Sequence, residues 1–220
     1  MKGKDDTINL QPHMINNEKS PKQFVANIID EILNPNRPPK PISANDKIRI
    51  IIGLDIYPGN TGITNTPAPQ NSIYSQNNFS EVAFLTDTYN LSLFCIVSLL
   101  FQSNDYANLF INAVNDPSNK LNWSMVAEYL QNYKKTILLN AKNHITDIDN
   151  ILTTYPDHQV LFVGKSHTPT KYVNLKNYMK IYHCSPRAFA NKSSDVCCKT
   201  YFNFQAKPGI KTTLNDFKIF

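Results

Sequence analysis

The stretch Lys47-Ile48-Arg49-Ile50-Ile51-Ile52-Gly53-Leu54-Asp55 constrains the fold of this chain more than any other segment. Its four isoleucines are β-branched, stiff about their first side-chain torsion and well suited to extended backbone. The run is nearly continuous rather than alternating apolar and polar, so a strand here is buried on both faces. That is the pattern of a central parallel strand, not of a half-solvated antiparallel one. Gly53 and a turn-rich segment stop the run. Parallel neighbours cannot be joined by a tight hairpin and require crossover connections, usually helices.

The rest of the chain supplies such pieces. Apolar residues Phe24, Val25, Ile28, Ile29 and Ile32 have helical spacing over 23–33. The proline-rich stretch 34–41 ends that helix, because proline lacks a donor and restrains the residue before it. Residues 90–101 read as a buried helix, 159–164 as a second buried strand ending at a glycine, and 176–182 as a third. The stretch 109–114, LFINAV, fits either a strand or a turn of helix, and Asp116-Pro117 closes it. Val126, Leu130, Tyr133, Ile137, Ala141, Ile148 and Leu152 recur at helical intervals, with room for a break. Residues 58–78 read as a long loop and 195–206 as a last helix. The expected fold is α/β: a central, mostly parallel four-stranded sheet flanked by helices. Residues 1–22 are expected to be a flexible tail, and 23–220 a single domain. Ligands of such sheets bind outside the carboxyl ends of the strands. Two segments are expected at that edge, GLDIYPGNTG after the first strand and YHCSPRA after the last.

Composition narrows the function classes. Hydrophobic residues make up 41% of the 220 and charged residues 18%, enough to bury a core. No apolar run approaches the roughly 18 residues of a membrane span. The amino terminus has charge but no apolar signal core, so an intracellular protein is expected. A net charge of +5 falls short of a nucleic-acid coat but is compatible with one positive groove over phosphates. Cys95, Cys184, Cys197 and Cys198 form no C-x-x-C pair, so reduced thiols are expected and no metal site. Neither a G-x-G-x-x-G fingerprint nor a P-loop lysine is present, so an α/β nucleotide-binding protein lacks support.

The segment Gly53-Leu54-Asp55-Ile56-Tyr57-Pro58 resembles the first active-site motif of uracil-DNA glycosylases, Gly-Gln-Asp-Pro-Tyr-His. The proline after the tyrosine brings it nearer the poxvirus branch. His183-Cys184-Ser185-Pro186 resembles the second motif, His-Pro-Ser-Pro. LFINAV is similar to the family's LLLNAV strand, and Ser118-Asn119-Lys120 to Trp123 to the loop and helix start beyond it. The resemblance spans roughly residues 24–217. It implies hydrolysis of the N-glycosidic bond of uracil in DNA, leaving an abasic site.

That reaction builds positive charge on the sugar and negative charge on the departing base. Asp55 would stabilise the cation and orient a water, and His183 would donate to uracil O2. Tyr57 would exclude the thymine methyl group by steric clash. An asparagine would read the uracil edge with one donor and one acceptor. Asn112 is the preferred candidate; Asn140, in ILLNA, is the alternative. Pro58 and the backbone after it, Ser166 beside Lys165, Ser185 and Arg187 would contact DNA while the base leaves the stack. Asn65 stands where the family carries the phenylalanine that stacks on uracil; Phe79 or Phe84 would replace that ring if the loop folds back. The implied partner is uracil-containing DNA, single- or double-stranded, and a viral enzyme of this kind would act in the host cytoplasm or nucleus. The second reading is a catalytically impaired member of the fold that binds DNA, with a viral DNA polymerase accessory protein as partner. His144 and His158 are expected on the surface.

Overall fold

A computed structural model describes residues 20–54, 65–164, 168–181 and 214–220. Four parallel strands form the main sheet: β1 (Ile48–Gly53), β4 (Thr136–Asn140), β5 (His158–Val163) and β6 (Tyr178–Ile181), in the order β4-β1-β5-β6. The isoleucine run is therefore the inner strand between β4 and β5, with Ile48, Ile50, Ile51 and Ile52 fully buried. Helices α1 (Pro21–Leu33), α3 (Leu91–Phe101), α4 (Asn104–Asn115), α5 (Trp123–Lys134) and α6 (Ile145–Thr154) flank the sheet. A smaller antiparallel pair joins β2 (Asn65–Pro67) to β3 (Glu81–Thr86), with the short helix α2 (Ile73–Gln76) between them. The α/β architecture with a four-stranded parallel sheet is the expected one. None of the described helices is long and apolar enough to cross a membrane.

Helix starts follow local capping chemistry. Ser20 Oγ accepts the Gln23 amide with Pro21 in the first helical turn, and Asn90, Ser103 and Asn122 cap α3, α4 and α5 the same way. The tail expected over 1–22 thus yields to helix at Pro21. Helix α3 buries every residue from Ser92 to Phe101 and is a core helix, as its unbroken apolar sequence suggested. Among the cysteines, Cys95 is buried on this helix; the other three lie outside the described residues.

The long helical pattern over 126–152 divides into helix, strand and helix. Lys135 makes the first switch by adopting a left-handed backbone (φ 52°), so that β4 begins one residue after α5 ends. A non-glycine residue there costs about 1–2 kcal/mol. The side chain offsets that cost: Lys135 Nζ donates to the Lys40 carbonyl at 2.8 Å and lies 3.6 Å from the Asp46 carboxylate. The stretch expected as loop over 58–78 contains β2 and α2 within its described part, and Tyr74 of α2 is completely buried. Its hydroxyl accepts the Leu138 amide at 3.0 Å, closing a hydrogen bond on the outer edge of β4. The carboxyl-terminal segment also enters the core. Ile219 and Phe220 donate their amides to the Leu100 carbonyl near the end of α3, and Phe220 stacks on Phe101 at 4.7 Å.

His158 departs from its expected surface position. It is fully buried at the start of β5, with Nδ1 2.8 Å from the Tyr155 carbonyl and Nε2 accepting the Lys176 amide at 3.0 Å. An acceptor nitrogen carries no proton, so the neutral Nδ1–H tautomer is fixed. Burial holds this imidazole below its ordinary value of 6.5, and the nearby Lys176 charge acts in the same direction. Above about pH 6.5 both folded and unfolded chains carry a neutral ring, and the full stabilisation is present. As pH falls below that value the unfolded chain takes up the proton first, so stability is lost. Urea midpoints measured from pH 7.5 to pH 5 are expected to fall for the wild type and to fall less steeply for His158→Gln. Identical slopes for the two proteins would refute this account.

Candidate functional site at the carboxyl edge of the sheet

Gly53 ends β1 in register with Asn140 of β4 on one side and Val163 of β5 on the other. Residues paired in a parallel ladder face the same side of the sheet, so Gly53 and Asn140 share a face at its carboxyl edge. The pairing continues past the strands: the Ala141 amide donates to the Gly53 carbonyl at 2.7 Å and the Lys142 amide to the Leu54 carbonyl at 3.0 Å. A Cβ atom on Gly53 would lie 2.9 Å from Cζ of Phe84 and 3.1 Å from Oδ1 of Asn140. Only a residue without a side chain lets an aromatic ring and a carboxamide approach this strand end together.

Phe84 reaches that position through an irregularity in the small sheet. One step along β2, from Asn65 to Thr66, moves the partner on β3 from Thr86 to Val82. Ala83, Phe84 and Leu85 are left outside the ladder, and Phe84 adopts φ 67°. A bulky residue in the left-handed region is an outlier costing about 1–3 kcal/mol, and such strain concentrates at functional sites. Asn65 lies in β2, half-buried, and donates from Nδ2 to Oε2 of Glu81 at 2.7 Å. Phe79 lies against His144, with ring centroids 4.4 Å apart.

The two candidate asparagines change places. LFINAV is helix, part of α4, which buries Ala107, Phe110, Ile111 and Val114 at helical spacing and leaves Asn112 exposed on the opposite face. The expected strand there is corrected, and with it the preference for Asn112. ILLNA is the strand, and Asn140 is 8% exposed at its carboxyl end. The short stretch between Asn140 and Gly164 holds a whole crossover and the next strand. Connections of only a few residues suffice, because α6 is 10 residues long and β5 follows it almost directly.

His144 stands one turn beyond Asn140, its amide donating to the Ala141 carbonyl at 3.1 Å. Its Nδ1 lies 3.0 Å from the Asp147 carboxylate. The sequence carried a signal for this pair, a histidine and an aspartate three residues apart at a helix start, but not for the ring of Phe79 beside it.

Asp55, Tyr57, Pro58, Lys165, Ser166, His183, Ser185 and Arg187 lie outside the described residues. The described residues that precede them, Leu54, Gly164 and Ile181, stand at the carboxyl ends of β1, β5 and β6. Because β5 alone separates β1 from β6, those two strand ends lie about 10 Å apart. No cluster of metal-ligating side chains occurs among the described residues.

The crowding at Gly53 gives a direct test. Gly53→Ala forces the Phe84 ring or the Asn140 amide away and is expected to destabilise the protein by about 1–3 kcal/mol. Adding Phe84→Leu should recover part of that loss in a double-mutant cycle followed by urea denaturation. Strict additivity of the two changes would overturn the proposed contact. Comparison with protein-family models, with curated protein sequences and with solved structures gives no match.

Proposed function

We propose that this chain is a uracil-DNA glycosylase, a metal-independent hydrolase that removes uracil from DNA and leaves an abasic site. The observation that carries the reading is the grouping of Gly53, Asn140 and Phe84 at the carboxyl edge of the sheet. Asp55 follows Gly53 by two residues and His183 follows Ile181 by two, so both belong to chain leaving that same edge. In this reading Asn140 takes the uracil-reading role first given to Asn112. Its amide offers one donor and one acceptor, matching N3–H and O4 of uracil. Phe84 supplies the aromatic surface that Asn65, bound to Glu81, does not.

The chemistry then follows from charge. As the bond between C1′ and N1 breaks, the Asp55 carboxylate stabilises the sugar cation and His183 donates a hydrogen bond to the developing negative charge at O2. Tyr57 bars the thymine methyl group. Ser166, Ser185, Arg187 and the amides following Pro58 hold phosphates around the extruded nucleotide. No cofactor is required.

The wild-type protein is expected to release free uracil from a uracil-containing oligonucleotide, leaving an alkali-labile site. Asp55→Asn should abolish release, Asn140→Ala should lower it by about 10²-fold or more, and Asn112→Ala should leave it unchanged. Strands that stay intact in alkali after prolonged incubation with wild-type protein would refute the enzymatic reading.

One observation favours the second reading, a DNA-binding or polymerase accessory subunit that keeps the fold. Phe84 is only 5% exposed, and its ring occupies the space beside Gly53. If that ring fills the slot permanently, DNA binding at low salt should be unaffected by Asp55→Ala, with no uracil released by either protein. Loss of DNA binding together with activity would exclude this second reading.

A further inference from the structure

The amino end of the main sheet carries a cavity that the proposed reaction does not use. Its volume is about 190 Å³, and it lies where the proline-rich segment before β1, α2, the end of α5 and Tyr155 meet. Gly53 and Asn140 stand at the opposite end of the strands. Pro39, Pro41 and Ile73 give the cavity apolar walls, and no charged side chain among the described residues lines it. Its polar lining consists of carboxamides, Gln76, Gln131 and Asn132 among them, and of Tyr155.

The walls are fixed by the fold itself. Lys135 Nζ donates to the Lys40 carbonyl and Tyr133 Oη to the Arg37 carbonyl at 2.9 Å, which ties the proline-rich segment to the end of α5. Gln131 is only 6% exposed, and both ends of its amide are committed. Its Oε1 accepts the Ile73 amide at 3.2 Å, and its Nε2 donates to Asn132 Oδ1 at 3.1 Å. The second bond occupies the Asn132 oxygen and leaves Nδ2 as a donor. Neither that nitrogen, nor the Gln76 carboxamide, nor the Tyr155 hydroxyl has a hydrogen-bond partner among the described residues. Burial, with the Asp46 charge adding to it, holds the Tyr155 hydroxyl above its ordinary value of 10.0, so it stays a donor at neutral pH.

These features select the occupant. An ion would lose its hydration here without any opposite charge to compensate. A peptide would need an extended groove, whereas this volume is little more than the roughly 150 Å³ that encloses one benzene ring. Each carboxamide offers a donor and an acceptor, and so matches groups of its own kind. We propose that this cavity binds an uncharged single-ring amide or imide, the chemistry of a free pyrimidine base. The ring lies against the proline and isoleucine walls. Its carbonyl oxygens accept from Asn132 Nδ2 and the Tyr155 hydroxyl, and a ring N–H donates to the Gln76 carboxamide. Uracil released by the proposed reaction belongs to this ligand class, but the site does not depend on the glycosylase reading.

The test is a titration of the full chain with free uracil, read from the side-chain amide signals of Gln76, Gln131 and Asn132 in nitrogen–proton correlation spectra. Saturable shifts are expected at all three, with a dissociation constant of about 1 mM, in keeping with so small a ligand. Asn132→Leu and Tyr155→Phe should each weaken binding by about 5- to 10-fold, the effect of one lost hydrogen bond. Asn140→Ala should leave the shifts as they are, which separates this cavity from the carboxyl edge. Orotate, the same ring carrying a carboxylate, should give no saturable shift. Signals that stay unmoved at about 10 mM uracil would overturn the proposal and leave a cavity that holds only water. Shifts that orotate reproduces, or that vanish in Asn140→Ala, would overturn it as well. The wild-type titration reads binding directly, so it decides the matter even where a variant fails to fold, and whether or not the protein releases uracil.

Discussion

The in-register parallel pairing of β1 with β4 and β5 governs the rest of the structure. A strand buried on both faces has no access to water, so every amide and carbonyl along it must find a partner in the sheet. Two ladders meet that demand, and in doing so they fix which residues stand side by side at the carboxyl edge. Gly53 comes level with Asn140 for this reason. The ladders run on through Ala141 and Lys142 after the regular strands end, and α6 starts from that bonded turn. A slip of one residue would turn Asn140 to the other face of the sheet and separate it from both Gly53 and Phe84.

Strain is located at the same edge. Phe84 keeps a left-handed backbone inside a strand, in a segment that drops out of the β2–β3 ladder. Its ring is held against Gly53 by the surrounding core, which includes Val82, Ala83 and Leu85, all nearly or fully buried. Such a conformation persists only where packing over-determines it. Glycine at 53 and the irregularity around Phe84 are thus complementary: one removes the atoms that the other brings an aromatic ring to replace. Tyr74 adds a further constraint by bonding the free edge of β4, so the small sheet and its helix are tied to the strand that carries Asn140.

The parts of the fold that were legible in the sequence share a physical cause. The isoleucine run, QVLFVG and the apolar stretch of α3 are buried almost completely, so their composition alone reveals their environment. The failures have causes too. LFINAV and ILLNA are both short apolar runs that contain asparagine followed by alanine, and neither length nor composition separates strand from helix in such a run. Ser103 capping α4 turns the first into helix, and Lys135 in a left-handed conformation starts the second as strand. Lysine is not a residue that announces a chain reversal, so in the sequence the helical spacing runs straight through it. His158 was unreadable for a different reason. Its two hydrogen bonds go to backbone groups at Tyr155 and Lys176, and partners of that kind leave no trace in residue types.

The chain by itself determined a parallel α/β sheet, its most buried strand and the short motifs that follow the strand ends. Those features depend on side-chain size, branching and hydropathy, which are properties of each residue and its near neighbours. Only the tertiary structure decided that Asn140 rather than Asn112 stands beside Gly53, that Phe84 lies against both, and that His144 is held between Asp147 and Phe79. These are contacts between segments remote in sequence or separated by a turn, set by ladder register, backbone conformation and the space that a single glycine leaves open.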